Sequence, residues 1–363
     1  VSNTTISALE ATIVVTPSYN GCTGNPETMH IVVLPQPNAV DPDDQVVCNR
    51  ASTQPVIFSN LINSYNYTWT NDNPTIGLSA SGIGNIPVFV AINNSNTPAI
   101  AHVQLSAEYN GCRSTPQTFT ITVNPTPVID PISPVALCHG MSNSAIALNS
   151  NVSGTTISWT NTNTSIGIPA SGTNQIPAFT AINQTNGDII AHIHISASAN
   201  GCAADPVDFQ IQVNPLPNVV QPANQQICSG GTTAPVVFTS AVSGTSYTWT
   251  NNLPAIGLMA QGSGDIPSFN PINAGYSALT ATISVLPATA TCTGTPKQFD
   301  ITVYPLANLV QPLNQFICNG EPTSVVNFVG TTIGTGFSWT NDNPSVGLAA
   351  SGTGSLPSFV AVN

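Results

Sequence analysis

Single residues recur every 90 positions along this chain, and no other feature constrains its fold as strongly. Tryptophan recurs at this interval, as Trp69, Trp159, Trp249 and Trp339. Two cysteine ladders follow the same period, one formed by Cys22, Cys112, Cys202 and Cys292, the other by Cys48, Cys138, Cys228 and Cys318. Because no insertion or deletion breaks the register, the chain is predicted to be a tandem array of one structural unit.

The period also predicts where each unit begins and ends. Three complete repeats are expected at residues 36–125, 126–215 and 216–305. Residues 1–35 then form the C-terminal part of a repeat, and residues 306–363 the N-terminal part of another. The two ends share the same phase, so we expect a segment of a longer array whose secretion and anchoring signals lie elsewhere.

Alternation of apolar and polar residues predicts β-strands inside each unit. The clearest strand places four small or branched apolar side chains on the inward face, namely Ala101, Val103, Leu105 and Ala107. A second alternating run places Tyr65, Tyr67 and Trp69 together. Some seven short strands per unit, with turn residues between them, predict an all-β chain of tandem immunoglobulin-like (PKD-like) β-sandwiches with the four tryptophans in the cores.

Short proline-rich segments connect the predicted units. They include Pro125-Thr126-Pro127, Pro215-Leu216-Pro217 and Pro305-Leu306. Proline fixes the backbone angle φ and leaves little freedom to bend. The array is therefore expected to form an extended, semi-rigid rod.

Charge is scarce, and this excludes several classes of partner. Charged residues make up 5% of the 363 residues, the formal net charge is −12, and the only cations are Arg50, Arg113 and Lys297. Nucleic acid and anionic lipid both require clustered cations. No stretch of eighteen apolar residues could insert into a membrane. The sequence therefore predicts neither a nucleic-acid partner nor membrane insertion.

The eight cysteines at fixed spacing are expected to form disulfides, which points to an extracellular, cell-surface location. Two pairings fit the period. One joins cysteines within a repeat, such as Cys48 with Cys112, and the other joins neighbours across a linker, such as Cys22 with Cys48. Both remain open, and either predicts that the interior repeats contain no free thiol.

Two clusters were weighed as metal sites. His192 and His194 share one strand face, but carboxylates are scarce near them in sequence. The acidic run at residues 41–44, which ends in Asp44, has no acidic counterpart in the other repeats. No arrangement typical of a catalytic triad or a carboxylate pair is present. We therefore predict no catalytic residue, no metal and no cofactor, and hence no enzyme.

Several motifs resemble a known family of repeats. The segments that carry the likeness are Cys228-Ser229-Gly230-Gly231, Tyr247-Thr248-Trp249-Thr250-Asn251 and residues 209–215. They resemble the PKD-like and Ig-like repeats of giant surface adhesins of the Bacteroidetes, of the gliding-motility type. The resemblance implies a two-sheet sandwich, export by the type IX secretion system, and adhesion or gliding at the cell surface. PKD domains carry Trp-Asp-Phe-Gly-Asp-Gly where this chain has Trp69-Thr70-Asn71-Asp72, so only the Ig-like shape is implied.

The predicted function is structural and adhesive. We expect a spacer and multivalent attachment surface in a bacterial filament or adhesin. Its expected partners are surface polysaccharide, an abiotic surface or neighbouring filaments, besides the machinery that secretes and anchors it. The alternative is a set of carbohydrate-binding modules of a secreted polysaccharide-targeting protein.

Overall fold

The chain is built from short β-strands joined by turns. The computed structural model describes residues 3–59 and 66–363, so Tyr65, expected beside Trp69, lies outside the described residues. Within those ranges the helical segments are four 3₁₀ turns, at Pro74–Ile76, Thr164–Ile166, Pro254–Ile256 and Pro344–Val346. The described chain is therefore all-β.

The strands assemble into two compact units. The first comprises Val1–Val135, Ser142–Thr180 and Ile190–Ile211, and the second comprises Ala136–Met141, Ala181–Ile189 and Gln212–Asn363. The predicted repeat 36–125 thus lies in the first unit and 216–305 in the second. Segments of repeat 126–215 contribute to both.

The N-terminal segment folds into a hairpin. Its strands are β1 (Leu9–Val15), β2 (Ser18–Tyr19), β3 (Cys22–Thr23) and β4 (Glu27–Val33). β1 pairs antiparallel with β4, from Leu9 opposite Val33 to Val15 opposite Glu27. Side chains on both faces of β1 are exposed, so this hairpin has no sandwich partner among the described residues.

The first complete repeat contains the main sheet of an immunoglobulin-like sandwich. Its strands are β5 (Gln45–Cys48), β6 (Asn66–Asn71), β7 (Ser81–Ile83), β8 (Ala99–Tyr109), β9 (Cys112–Arg113) and β10 (Gln117–Asn124). The sheet order is β5-β10-β8-β6-β7, with β5 parallel to β10. The second layer is held by bridges between Ser52 and Val90 and between Val56 and Ile86.

The second repeat follows the same plan. Its strands are β11 (Val135–Cys138), β12 (Ser142–Asn143), β13 (Ile146–Ala147), β14 (Thr156–Asn161), β15 (Ser171–Thr173), β16 (Gln175–Ile176), β17 (Phe179–Thr180), β18 (Ile189–Ala199), β19 (Cys202–Ala203) and β20 (Val207–Asn214). β14 lies between β15 and β18. In the other layer β12 pairs with β17 and β13 with β16.

The third repeat and the C-terminal segment complete the described chain. The strands are β21 (Gln225–Cys228), β22 (Ser246–Asn251), β23 (Gln261–Ser263), β24 (Leu279–Ala288), β25 (Lys297–Tyr304), β26 (Ser338–Thr340) and β27 (Ser351–Thr353). The sheet of the third repeat has the order β21-β25-β24-β22-β23. In the C-terminal segment β26 pairs with β27 alone. These sheets confirm the predicted fold class of tandem immunoglobulin-like β-sandwich repeats.

The core of each complete repeat depends on alternation along its longest strand. In β8 the predicted inward residues Ala101, Val103, Leu105 and Ala107 are fully buried. They pack in one cluster with Val56, Phe58, Trp69 and Ile76. The alternation in the sequence therefore identified the buried face of this strand correctly.

Each tryptophan packs against a glycine of the neighbouring strand. The pairs are Trp69 with Gly82, Trp159 with Gly172, Trp249 with Gly262 and Trp339 with Gly352. Trp159 is 2% exposed, and its indole N–H donates to the carbonyl of Gln175 at 2.9 Å. Trp339, in the partial C-terminal repeat, is only half-buried. The ring lies where a side chain on the glycine would otherwise point.

In each complete repeat a buried asparagine connects a turn to the last long strand through hydrogen bonds. Nδ2 of Asn273 donates to the carbonyls of Ser277 and Val303, each at 2.8 Å. Its Oδ1 accepts from the amide of Gly275 at 2.9 Å. Asn93 and Asn183 make the corresponding bonds. A buried polar group is tolerated here because its donors and acceptor are all satisfied.

Replacing Gly172 by alanine should destabilise the second repeat. A Cβ there would lie 2.5 Å from Cζ2 of Trp159, so the indole or the strand must shift. We expect a loss of about 1–3 kcal/mol in the free energy of unfolding, as for other overpacked cores. Denaturant melts followed by tryptophan fluorescence measure it. Gly187→Ala is the matched control, since nothing lies within 4 Å of its added Cβ; equal losses in both variants would contradict the packing argument.

Candidate functional site: disulfide-bonded junctions between repeats

A disulfide joins the first two complete repeats. It links Cys48, at the end of β5, to Cys202, at the start of β19, with Cα atoms 5.5 Å apart. The two positions are separated by 154 residues. The bond thus connects the edge strand of one repeat to the hairpin of the next.

The second disulfide repeats this geometry one period later. It links Cys138, at the end of β11, to Cys292, in the turn after β24, with Cα atoms 5.8 Å apart. The sequence separation is again 154 residues. A bond at one position of the repeat therefore recurs at the equivalent position of the following repeat.

Neither pairing considered from the sequence occurs. The parallel register places Cys48 beside Asn124, at the C-terminal end of β10. Cys112 precedes the N-terminal end of β10, so the strand separates the two cysteines by roughly 23 Å at about 3.3 Å per residue. A disulfide needs Cα atoms within about 7 Å. The within-repeat bond between Cys48 and Cys112 is therefore excluded, and Cys22 cannot bond Cys48, which already bonds Cys202.

Four cysteines are free, contrary to the expectation that interior repeats contain no thiol. Cys22, Cys228 and Cys318 are exposed, and Cys112 is half-buried. Cys112 and Cys228 belong to complete repeats. The sequence-based expectation is wrong because it assumed partners near in sequence.

Asparagine side chains add hydrogen bonds to the first junction. Nδ2 of Asn124, which is buried, donates to the carbonyl of Asn200 at 3.0 Å. Nδ2 of Asn151 donates to Oδ1 of Asn96 at 2.9 Å. Asn200 has a φ of 51°, a left-handed conformation that asparagine adopts more readily than most residues. The junction thus includes two side-chain hydrogen bonds beside the disulfide.

An open cleft lies beside the same bond. Its walls include Cys48, Arg50, Thr126, Pro127 and Asp205. Arg50 is one of the three cations of the chain, and its amide donates to the carbonyl of Ala91 at 2.7 Å. The walls also include apolar side chains, namely Val128, Ile129 and Val207.

Three of the five histidines, His30, His102 and His194, each contact a carboxylate on an exposed strand face. Nδ1 of His194 lies 2.8 Å from Oδ1 of Asp208, and Nδ1 of His102 lies 2.9 Å from Oδ2 of Asp72. Carboxylates are scarce near His194 in sequence, but the fold brings Asp208 of the adjacent strand beside it. In the part of the chain that the structure describes, no group of three or more potential metal ligands comes together.

Two carboxylates connect loops to strands through the backbone. The amide of His102 donates to Oδ1 of Asp72 at 2.7 Å, and this bond holds the pKa of Asp72 below its usual value. The amide of Thr120 donates to Asp44 at 2.6 Å and lowers the pKa of Asp44 likewise. In the third repeat the neutral side chain of Asn224 accepts the equivalent hydrogen bond from the amide of Asp300. Asp44, part of the acidic run at residues 41–44, thus accepts a structural hydrogen bond.

Comparison with known proteins gives similarity at the level of fold. No protein-family model and no curated protein matches the chain. A titin structure of three immunoglobulin domains is 8% identical over 72% of this chain and 96% of that chain, with a TM-score of 0.42. The EC21–23 segment of human CDH23 is 14% identical over 74% and 99%, with a TM-score of 0.40. The EC3–6 segment of protocadherin gammaB7 is 12% identical over 90% and 92%, with a TM-score of 0.33.

The residues described by the structure include no helix long and apolar enough to cross a membrane.

Alkylation of the monomeric protein tests the pairing. We expect Cys22, Cys112, Cys228 and Cys318 to react, and digestion without reductant to yield Cys48 linked to Cys202 and Cys138 linked to Cys292. Cys202→Ser should free Cys48 while leaving the second bond intact, and Cys112→Ser should change neither bond. A peptide joining Cys48 to Cys112 would contradict the structure.

Proposed function

We propose that this chain is a tension-bearing section of an extracellular structural and adhesive array. The observation that carries the proposal is the recurring disulfide between consecutive repeats. Disulfides persist in oxidising compartments and are rare in the cytosol. Bonds that tie one sandwich to the next also resist separation of the repeats, which a filament under load requires.

The two disulfide loops overlap, and this limits how far the chain can extend. Residues 48 and 292 are 244 positions apart, but a covalent path crosses from Cys48 to Cys202 and then follows 90 residues to Cys292. A second path follows 90 residues from Cys48 to Cys138 and then crosses to Cys292. The shortest path uses both bonds, crossing from Cys48 to Cys202, following 64 residues back to Cys138 (202 − 138 = 64) and crossing to Cys292. Complete unfolding therefore gives this segment about 23 nm instead of about 88 nm, at roughly 3.6 Å per residue.

Because the two loops overlap, either disulfide alone still limits the extension of this segment. If the bond between Cys48 and Cys202 breaks, the path through Cys138 and Cys292 still spans the segment with 90 extensible residues. Loss of the other bond leaves the first path in the same way. Only loss of both releases the full length. Loss of one bond therefore lengthens the unfolded segment by only about 9 nm, the difference between 90 and 64 residues at roughly 3.6 Å per residue.

The surface of the array is suited to many weak contacts. It is poor in charge and rich in Asn, Thr and Ser, and linked copies can convert weak contacts into firm attachment. The proposed partners are surface polysaccharide, an abiotic surface or neighbouring filaments. The resemblance to giant Bacteroidetes adhesins supports a bacterial filament exported by the type IX system and acting in gliding. Proline-bounded linkers support a semi-rigid spacer.

The carbohydrate-binding alternative receives no support from the described residues. Such modules stack sugars on grouped, exposed aromatic rings. In the described ranges the exposed aromatic side chains are Tyr19, Tyr276, Tyr304 and Phe316, and each occupies a different position of the repeat. No aromatic platform recurs with the period.

Force spectroscopy on single molecules held at both ends tests the tension-bearing role. Removing both bonds, with Cys48→Ser and Cys138→Ser, should lengthen the fully unfolded chain by about 65 nm, which is the length of 180 residues (244 − 64 = 180) at roughly 3.6 Å per residue. Removing one bond, with Cys48→Ser and Cys202→Ser, should lengthen it by only about 9 nm, because the limiting path grows from 64 to 90 residues at roughly 3.6 Å per residue. Reductant applied to the unmodified chain should reproduce the double variant. An unmodified, oxidised chain as long as the double variant would overturn the proposal.

Location is tested separately on source cells. Antibody raised against residues 126–215 should label intact, unpermeabilised cells in electron micrographs, and the label should follow filaments. Labelling confined to permeabilised cells would contradict an extracellular array.

A further inference from the structure

The cleft beside the disulfide between Cys48 and Cys202 contains two charged residues that the other repeats lack. The equivalents of Arg50 are all glycine, namely Gly140, Gly230 and Gly320. The equivalents of Asp205 are all uncharged, namely Asn25, Thr115 and Thr295. In a chain with only 5% charged residues, this junction therefore places a cation and an anion in one cleft.

Arg50 adopts a backbone conformation that favours glycine. Its φ is 66°, and the glycines at the equivalent positions have φ between 81° and 84°. The fold imposes this conformation, because the amide of Arg50 donates to the carbonyl of Ala91 at 2.7 Å, as the amide of Gly140 does to Ala181. A side chain in the left-handed region has a conformational cost that glycine avoids, and such residues cluster at ligand-binding sites. The arginine is thus kept here against the preference of the backbone.

The guanidinium of Arg50 makes no hydrogen bond or ion pair with any residue that the structure describes. Arg113, by contrast, pairs with Glu108 at 3.1 Å. Asp205 lines the same cleft as Arg50 but lies beyond ion-pair distance from it, and both side chains are exposed. The two opposite charges are therefore available to a ligand.

The other walls of the cleft suit a sugar ring. The cleft has a volume of about 460 Å³, which is in the range of small-ligand sites. Pro127 and Ile129 give it a buried apolar wall, and Thr126 adds a hydroxyl group. A sugar presents C–H groups on its faces and hydroxyl groups at its edge, so a wall of mixed polarity matches it.

The disulfide holds the two sides of the cleft together. Arg50 follows Cys48 by two residues in the first complete repeat, and Asp205 follows Cys202 by three residues in the second. The bond between Cys48 and Cys202 therefore fixes the backbones that carry the two charges. A site that is held in place before binding loses less conformational freedom when its ligand binds.

We propose that this cleft binds a uronic acid residue of a surface polysaccharide. The guanidinium of Arg50 pairs with the sugar carboxylate, which arginine matches through two parallel hydrogen bonds. The carboxylate of Asp205 accepts hydrogen bonds from the sugar hydroxyls and repels densely charged ligands such as sulfated glycans. A ligand with one carboxylate and several hydroxyls per sugar thus fits both charges, and recognition needs no aromatic platform. This inference rests on the proposed function, because it names the class of polysaccharide that the adhesive array holds.

Titration with tetragalacturonate, followed by NMR of the arginine side chains, tests the site. The chain has two arginines, so the ¹⁵N-labelled protein gives two Nε–Hε signals, and Arg50→Gly identifies the one from Arg50. We expect the Arg50 signal to shift saturably, with one tetragalacturonate bound per chain, while the Arg113 signal stays in place. Binding should weaken as salt is added, because salt screens exposed charges. Tetragalactose of the same linkage, which has no carboxylate, should move neither signal.

Matched variants separate the cleft from general charge effects. Arg50→Gly gives this junction the residue of the other repeats, and it should lower the affinity about tenfold or more, as expected for loss of a charged hydrogen-bonded pair. Arg113→Gln removes the same charge outside the cleft and should leave the affinity unchanged. Asp205→Thr should weaken binding of tetragalacturonate without weakening binding of inorganic sulfate.

Five results would each overturn the uronate site. They are unchanged affinity in Arg50→Gly, equal losses in the two arginine variants, equal binding of tetragalactose, tighter binding of inorganic sulfate than of tetragalacturonate, and tighter binding of tetragalacturonate by Asp205→Thr. Force spectroscopy keeps this inference separate from the tension-bearing role. Absence of binding with the disulfide-limited extension intact would overturn the sugar site alone, whereas loss of that limit with binding intact would overturn only the tension-bearing role.

Discussion

Burial of one face of the last hairpin is the interaction on which each sandwich depends. In the first complete repeat this hairpin carries Val103, Leu105, Phe119 and Ile121, all of them buried against the opposite layer. The opposite layer has little pairing of its own, being held by isolated bridges at Val56 and neighbouring positions. Without the hairpin the layer cannot exclude water, and in the C-terminal segment Trp339 and Phe328 are half-exposed. Since apolar burial is the main favourable term in folding, completeness of this hairpin decides whether a repeat has a core at all.

The junctions follow a different physical principle from the cores. At the first junction the contacts beside the disulfide are hydrogen bonds between amides, such as that of Asn124 with Asn200. Hydrogen bonds of this kind contribute only about 1 kcal/mol each once competition with water is included. The covalent bond between Cys48 and Cys202 resists a pulling force that would break such hydrogen bonds. Each core thus depends on apolar burial, whereas the first junction combines a covalent bond with hydrogen bonds.

Much of the fold could be predicted from residue patterns because its causes are local. Alternation along Ala101–Ala107 identified the buried face, since successive side chains of a strand point to opposite sides. The structural role of the buried asparagines Asn93, Asn183 and Asn273 was not predicted, although these residues recur with the period. In a chain so rich in asparagine, their recurrence looks like surface composition, and only their buried bonds to carbonyls such as that of Val123 distinguish them. The role of Asp44 as an acceptor for the amide of Thr120 required coordinates.

The sequence by itself determined the repeat length, the class of fold and the set of cysteines that could form disulfides. These follow from periodicity and from the short-range geometry of strands. Only the tertiary structure decided the pairing of Cys48 with Cys202, because the choice depends on which end of a sheet each thiol occupies. A parallel edge strand brings Cys48 to the end of β10 next to the following repeat, while Cys112 lies at the far end of the same hairpin. Position along a sheet results from strand direction and register, and the spacing of cysteines in sequence does not contain it.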